Sequence, residues 1–139
     1  MFLLDTNVIS ELRKVESGRA DPAVARWAKS QRAADFHLSA LSLMEIEIGI
    51  LRVERRDRRQ GVRLRRWLEQ RVLTGFAGRI LAIDAATALR CARLHVPDPR
   101  SERDALIAAT ALEHGLTVVT RNIRDFQDTG VAWLDPWSV

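Results

Sequence analysis

A chain of 139 residues, 47% hydrophobic and 29% charged, is long enough to bury one core and has no low-complexity or disordered stretch. Its 22 basic and 18 acidic residues leave a net charge of +4, and its single cysteine, Cys91, excludes an internal disulfide or a multi-cysteine zinc site. The apolar run Met1-Phe2-Leu3-Leu4 is far too short for a signal peptide or a membrane span, and no later run is long enough either. With the lone cysteine, this predicts a cytoplasmic protein without membrane contact.

Residues 2–4 read as a strand buried on both faces, because the apolar run does not alternate. The strand stops at Asp5-Thr6-Asn7, and a helix follows from Val8 to about Lys14. Asp21-Pro22 opens a second helix, with Asp as N-cap and Pro at the first helical position. Phe36–Leu41 is the next strand, and Ser42 is expected to cap a long helix that runs past Glu54. That helix should break near Gly61, before a third helical stretch carrying Leu64, Trp67, Leu68 and Val72. Gly75–Gly78 is a turn, Ile80–Ile83 a short strand, and Asp84 caps a helix over Ala85–His95. After the Pro97-Asp98-Pro99 loop, Ser101 caps a helix to about His114, closed by Gly115. Leu116–Val119 and Val131–Leu134 complete the strands, the last at an edge. Strands alternating with helices imply one α/β domain around a parallel sheet, with its site beyond the carboxyl ends of the strands.

The acids near those ends each have a structural explanation to overcome. Ser42 and Glu45 have the spacing of a capping box, and Ser101 with Asp104 is similar. Asn122 suits a turn, and Asp125 suits a pairing with Arg121 or Arg124. Asp5 is different. A carboxylate straight after an apolar strand should be partly buried, which is costly unless a metal, a cation or a function accounts for it. Thr6 and Asn7 are better placed to cap the following helix, so capping does not explain Asp5. Glu45 lies on a narrow polar strip with Gly49, Arg52 and Arg56, flanked by Leu43, Ile46, Ile50 and Val53 on one side and Met44, Ile48 and Leu51 on the other. Asp104 is aligned with Ala108 and Ala111, on a small apolar face suited to packing on the sheet. Spacing alone does not bring the three acids together; it is compatible with their convergence at one sheet edge.

Nine arginines against three acids between Arg52 and Arg71 form a stripe that favours a polyanion, or else a solvated helical face. Cys91, His37, His95 and His114 have neither activating neighbours nor metal-ligand spacing. Trp27 and Trp67, at helical spacing among apolar residues, read as core or dimer interface. No Gly-rich phosphate loop follows a strand, which argues against a nucleotide cofactor.

Leu3-Leu4-Asp5-Thr6-Asn7-Val8-Ile9-Ser10-Glu11, Leu38-Ser39-Ala40 with Glu45 and Gly49, Asp104-Ala-Leu-Ile-Ala-Ala-Thr110, and Thr117-Val-Val-Thr-Arg-Asn122 with Asp125-Phe126 together resemble the PIN-domain ribonuclease toxins of the VapC/FitB-like group. The four blocks stand in order, and the resemblance extends from residue 1 to Pro136-Trp137. It implies a PIN-like three-layer sandwich, with a central mostly parallel sheet flanked by helices, spanning residues 1–139. It implies a Mg²⁺- or Mn²⁺-dependent endoribonuclease, the toxin of a toxin–antitoxin pair. Such a toxin is a homodimer, inhibited by its cognate antitoxin and reaching operator DNA only through that antitoxin. Carried over by position, Asp5, Glu45 and Asp104 are the metal-binding acids, with Asn7 and Thr120 as supports. Asp5 and Asp104 are the expected direct ligands, and Glu45 binds through water or orients the nucleophile. Asn122 stands where many members carry a fourth acid, and Asp125 is the candidate to replace it, so one firm metal site is expected and a second is doubtful. Arg52 and Arg56 are expected to hold the RNA backbone. A non-catalytic PIN-like nucleic-acid-binding module and a housekeeping nuclease are the competing readings.

Overall fold

A computed structural model of the chain describes residues 1–139. The first half comprises β1 (Phe2–Leu4), α1 (Thr6–Leu12), α2 (Pro22–Lys29), β2 (Phe36–Ser39) and α3 (Ala40–Arg56). Then come α4 (Arg58–Trp67), a π-helical turn over Leu68–Val72, the single turn α5 (Leu73–Gly75) and β3 (Ile80–Leu81). The chain closes with α6 (Ala85–Leu94), α7 (Glu102–His114), β4 (Thr117–Val119) and β5 (Trp133–Leu134). The strands form one sheet in the order β3-β2-β1-β4-β5, and every pairing is parallel. The sheet is therefore wholly parallel, and its order reverses beside β1.

Successive strand residues face opposite sides of a sheet, so the run Leu3-Leu4 feeds two layers at once. Leu4 joins Val8, Trp27, Leu38, Ile46 and Ile50 beneath α1 to α4. Leu3 joins Ile107, Ala108, Ala111 and Phe126 beneath α7. Both leucines are fully buried, as the unalternating run requires. Trp27 stacks on Phe36 at 5.5 Å between ring centroids, and Phe2 meets it edge-on at 5.4 Å. Cys91 is buried with Ala105 and Ala109 between α6 and α7, and burial pushes its thiol up, so it is an inert core residue. No helix is long and apolar enough to cross a membrane.

Asp21, Asp84 and Ser101 cap their helices as expected, and Gly115 closes α7 at φ 65°. Three boundaries differ. β2 ends at Ser39, which also caps α3, its hydroxyl accepting the Leu41 N–H at 3.1 Å. An N-cap has extended backbone, so the last strand residue can serve directly as the cap. The helix therefore starts at Ala40, earlier than a cap at Ser42 would allow. Ser42 is instead buried within the first turn, its hydroxyl without a partner. The capping box with Glu45 does not form, which leaves Glu45 free for other partners. Further on, Asp57 breaks the helix rather than Gly61. Its backbone is extended and its carboxylate accepts the Gln60 N–H at 3.1 Å. Gly61 lies inside α4 because α3 and α4 touch there: a Cβ would stand 2.6 Å from Glu54 Cγ and 2.9 Å from Glu54 Cα. Strands β3 and β5 each keep only two residues of the longer runs expected.

Candidate metal centre

The register Leu4↔Val119 places the next residues, Asp5 and Thr120, side by side just past the carboxyl ends of β1 and β4. That is the point where the strand order reverses, the crevice in which open parallel sheets build sites. The Asp5 N–H donates to the Val119 carbonyl at 2.9 Å, extending the ladder by one bond.

Asp5 is 7% exposed and is the N-cap of α1: its Oδ1 accepts the Thr6 N–H at 2.8 Å. This corrects the expectation that capping would pass to Thr6 or Asn7. The helix begins at Thr6 with no residue to spare, so the strand's last neighbour must be the cap. Capping engages only one oxygen. The other, Oδ2, accepts the Thr120 hydroxyl at 2.8 Å and Asn7 Nδ2 at 3.3 Å. Despite these donors the carboxyl is held above its ordinary range. Burial is the largest cause and outweighs the bonds from Thr120 and Thr6, and the charges of Glu45 and Asp104 push the same way.

Glu45 accepts the Thr6 hydroxyl at 2.8 Å and lies 3.5 Å from Arg103 Nη1. Asp104 occupies the first turn of α7, where its N–H reaches the Ser101 hydroxyl at 3.5 Å. Its carboxyl is also raised, chiefly by burial and then by the charge of Asp125, with Glu45 adding to it and Ser101 opposing. Asp5 after β1, Glu45 on α3 and Asp104 on α7 thus stand within electrostatic reach of one another, and Asp125 in the turn Ile123–Asp125 within reach of Asp104. They are not a closed cage, as no three metal-ligating side chains sit close enough to hold an ion unaided. An all-oxygen, water-completed donor set of this kind fits Mg²⁺ or Mn²⁺, which take one or two carboxylates and complete the shell with water and substrate phosphate.

Asn7 and Thr120 form the support. Asn7 Nδ2 also donates to Thr120 Oγ1 at 3.4 Å, and the Asn122 N–H donates to the same hydroxyl at 3.0 Å. The Arg121 N–H donates to Asn7 Oδ1 at 3.2 Å, which ties the β4 loop to the start of α1. Asn122 contributes its backbone here, and its exposed side chain makes no hydrogen bond. Asp125 pairs with neither Arg121 nor Arg124; Arg121 lies over the Trp137 ring at 5.1 Å instead. Thr120→Val, close in shape, removes the one buried hydroxyl that fixes Asp5 Oδ2. It is expected to weaken Mn²⁺ binding about 10- to 100-fold, measured by calorimetry, and to lower Tm, because the Asn122 N–H loses its acceptor.

Arg52 and Arg56 are exposed and line no part of the cleft beside Glu45. That cleft, of about 260 Å³, runs from Thr6 and Glu45 past Gly49 to Arg13, Leu64 and Trp67. Sequence reasoning passed over Arg103, although its place next to Asp104 was a hint. It also passed over Arg13, which follows α1 and reaches the cleft over the Trp67 ring.

A wholly parallel sheet with a buried aspartate and neighbouring acids at its switch point defines the protein class, and residues 2–132 match the PIN domain. The chain belongs to the PIN-domain family. It is 37% identical over 142 aligned residues to "VapC ribonuclease Y4jK" of Sinorhizobium fredii, covering 99% of this chain and 98% of that one. It is 37% identical over 143 residues to "Toxin FitB" of Neisseria gonorrhoeae, covering 99% of each. Among solved structures, a FitAB complex bound to an IR36 DNA fragment superposes with a TM-score of 0.90 at 33% identity, over 100% of this chain and 97% of that one.

Proposed function

We propose that this chain is a divalent-metal-dependent endoribonuclease acting as the toxin of a toxin–antitoxin pair. The observation that carries the reading is Asp5, a buried carboxylate held above its ordinary range at the switch point, with Asp104, Glu45 and Asp125 around it. A relative named as a ribonuclease and another named as a toxin, each matched along its full length, support the activity and the role.

Asp5 and Asp104 would hold Mg²⁺ or Mn²⁺, with Glu45 reaching it through water. An ion held there would supply Lewis acidity to activate water and positive charge for the phosphodiester under attack. The chain's own contribution is position and charge. Thr6, Asn7 and Thr120 lock the Asp5 carboxylate in one rotamer, and Thr6 does the same for Glu45 through its hydroxyl. Arg103, half exposed beside Glu45, supplies a cation at the rim that can move to a substrate phosphate.

The solved complex that binds DNA as FitAB supports a cognate antitoxin as partner, with operator DNA engaged through it. A homodimer is supported by α3 and α4, which leave Met44, Leu51 and Val62 exposed at 42%, 49% and 51%. The cytoplasm, where RNA and antitoxin meet, is the proposed compartment.

RNA cleavage by the purified protein should require Mg²⁺ or Mn²⁺ and stop in EDTA. Undiminished cleavage after chelation would remove the metal from the mechanism. A non-catalytic binding module is favoured by one observation, the lack of a ready three-ligand cage. Calorimetric titration that detects no Mn²⁺ binding at millimolar concentration would select that reading.

A further inference from the structure

The cleft beside Glu45 does not end at Trp67. A second cleft, of about 270 Å³, shares Arg13 and Trp67 with it and continues along Arg63, Arg66, Gln70 and Arg71. Glu45, at the edge of the metal centre, and a bank of four arginines are thus two ends of one track. Its middle is apolar, floored by Ile50, Val53 and Leu64. Over Gly49 the track is open: a Cβ there would meet nothing within 4 Å, so this glycine relieves no crowding in the fold.

The arginines of α4 divide into two kinds. Arg65 is held by Glu47 at 2.8 Å and Glu54 at 2.9 Å, and it clamps α4 to α3. Arg63 and Arg66 sit on the other face, with Trp67 and Gln70, at helical spacings of three and four. They have no acidic partner, and neither does Arg13; Arg71 alone in the bank is paired, with Glu16 at 2.6 Å on the surface. No acid lines the second cleft. Trp67 is half-buried, its ring available to both clefts, with the Arg13 guanidinium 6.0 Å from the ring centroid. An aromatic face beside unpaired arginines is how proteins hold single-stranded nucleic acid, with stacking for the base and charge for the backbone.

On this basis, and resting on the ribonuclease reading above, we propose that the Arg13–Trp67–Arg63–Arg66 track is the subsite for single-stranded RNA flanking the scissile phosphate. A base occupies the apolar cleft against Trp67, and the next phosphates lie on Arg13, Arg63 and Arg66. The charge order fits an RNA strand: the metal centre takes one phosphate and the arginines take its neighbours. Trp67, expected from the sequence to be core or interface, is assigned a role in binding as well as packing.

The test is the affinity of a fluorescein-labelled single-stranded RNA oligonucleotide by anisotropy in EDTA, with steady-state cleavage in Mn²⁺ alongside. Arg63→Glu/Arg66→Glu should weaken binding at least about tenfold and raise KM more than it lowers kcat. Its log-affinity against log-salt slope should become shallower by about 1.4, since each phosphate neutralised on a single strand contributes about 0.7 to that slope. Arg55→Glu/Arg58→Glu makes the same charge change off the track and should cost much less. Trp67→Leu should weaken binding several-fold and Trp67→Phe restore most of it, with circular dichroism showing both folded. Equal losses in the two arginine pairs, or an unchanged salt slope in the first, would overturn the assignment. So would loss of binding to poly-glutamate, an acidic peptide probe, without loss of RNA binding, because the track would then be a protein-docking groove. A wild type that neither binds nor cleaves RNA would defeat the ribonuclease reading itself, whereas failure of the track alone leaves metal-dependent cleavage by the wild type intact.

Discussion

Asp5→Asn is expected to lower kcat/KM for RNA by at least about 10²-fold, a loss of roughly 2.7 kcal/mol of transition-state stabilisation, while leaving the protein folded. The fold should survive because asparagine is as good an N-cap as aspartate, so the Thr6 N–H keeps its acceptor. The Thr120 hydroxyl can rotate to accept from the new amide. What is lost is a charge, and with it the strongest oxygen donor at the switch point. A second readout separates chemistry from folding. A ligand that binds only the folded state raises Tm by mass action, so saturating Mn²⁺ should stabilise the wild type and hardly move Asp5→Asn. If the variant cleaved RNA at the wild-type rate and kept the full Mn²⁺-induced shift in Tm, Asp5 would not be a metal ligand.

Asp5 also shows what the sequence makes legible. That it had to be buried followed from the apolar run before it, and that it needed an explanation followed from the cost of burying charge. That it also caps α1 did not follow, because the choice among Asp5, Thr6 and Asn7 depends on where the β1–β4 ladder stops. The same ambiguity moved the α3 cap from Ser42 to Ser39. The β2–β3 pairing runs through Ser39, which makes it the last strand residue and so the cap. The clustering of acids around Asp5 was beyond spacing arguments, since Asp5 and Asp104 lie far apart along the chain. Their convergence is a product of strand order, with β4 inserted beside β1 rather than beside β3. The arginine stripe was legible as charge but not as geometry. Only packing shows that Arg65 is spent on Glu47 and Glu54, that Arg52 and Arg56 stand off the cleft, and that Arg13 joins it from a different helix.

Metal-free protein should be less stable at neutral pH than the rest of its fold would allow, and Asp104→Asn should recover part of the difference. Asp5 and Asp104 both titrate above 3.8 in the folded state, for reasons of burial and mutual charge. A raised acid binds its proton more tightly folded than unfolded, so its contribution to stability is complete below the unfolded pKa. It is lost as pH rises through the folded pKa, and above that the carboxylates persist as a penalty. Asp104 is the cleaner site to test, since it is not the N-cap of its helix and its side chain is only partly buried. An aspartate in the first turn of a helix normally gains about 0.3–1 kcal/mol from the dipole. Burial and the charges of Asp125 and Glu45 act against that gain and raise the Asp104 carboxyl. In EDTA at pH 7, Asp104→Asn should therefore raise Tm, with each ~1 kcal/mol recovered appearing as about 3–5 °C in a domain of this size. As pH falls below the range in which an unfolded aspartate titrates the two proteins should converge, because the wild-type carboxyl is then protonated in both states. In saturating Mn²⁺ at pH 7 the order should reverse, since the ion neutralises the repulsion in the wild type and finds one ligand fewer in the variant. Such a reversal is the mark of a site whose acids are kept for function at the expense of stability. A variant less stable than the wild type in EDTA at pH 7, and equally responsive to Mn²⁺, would show instead that Asp104 is a structural cap.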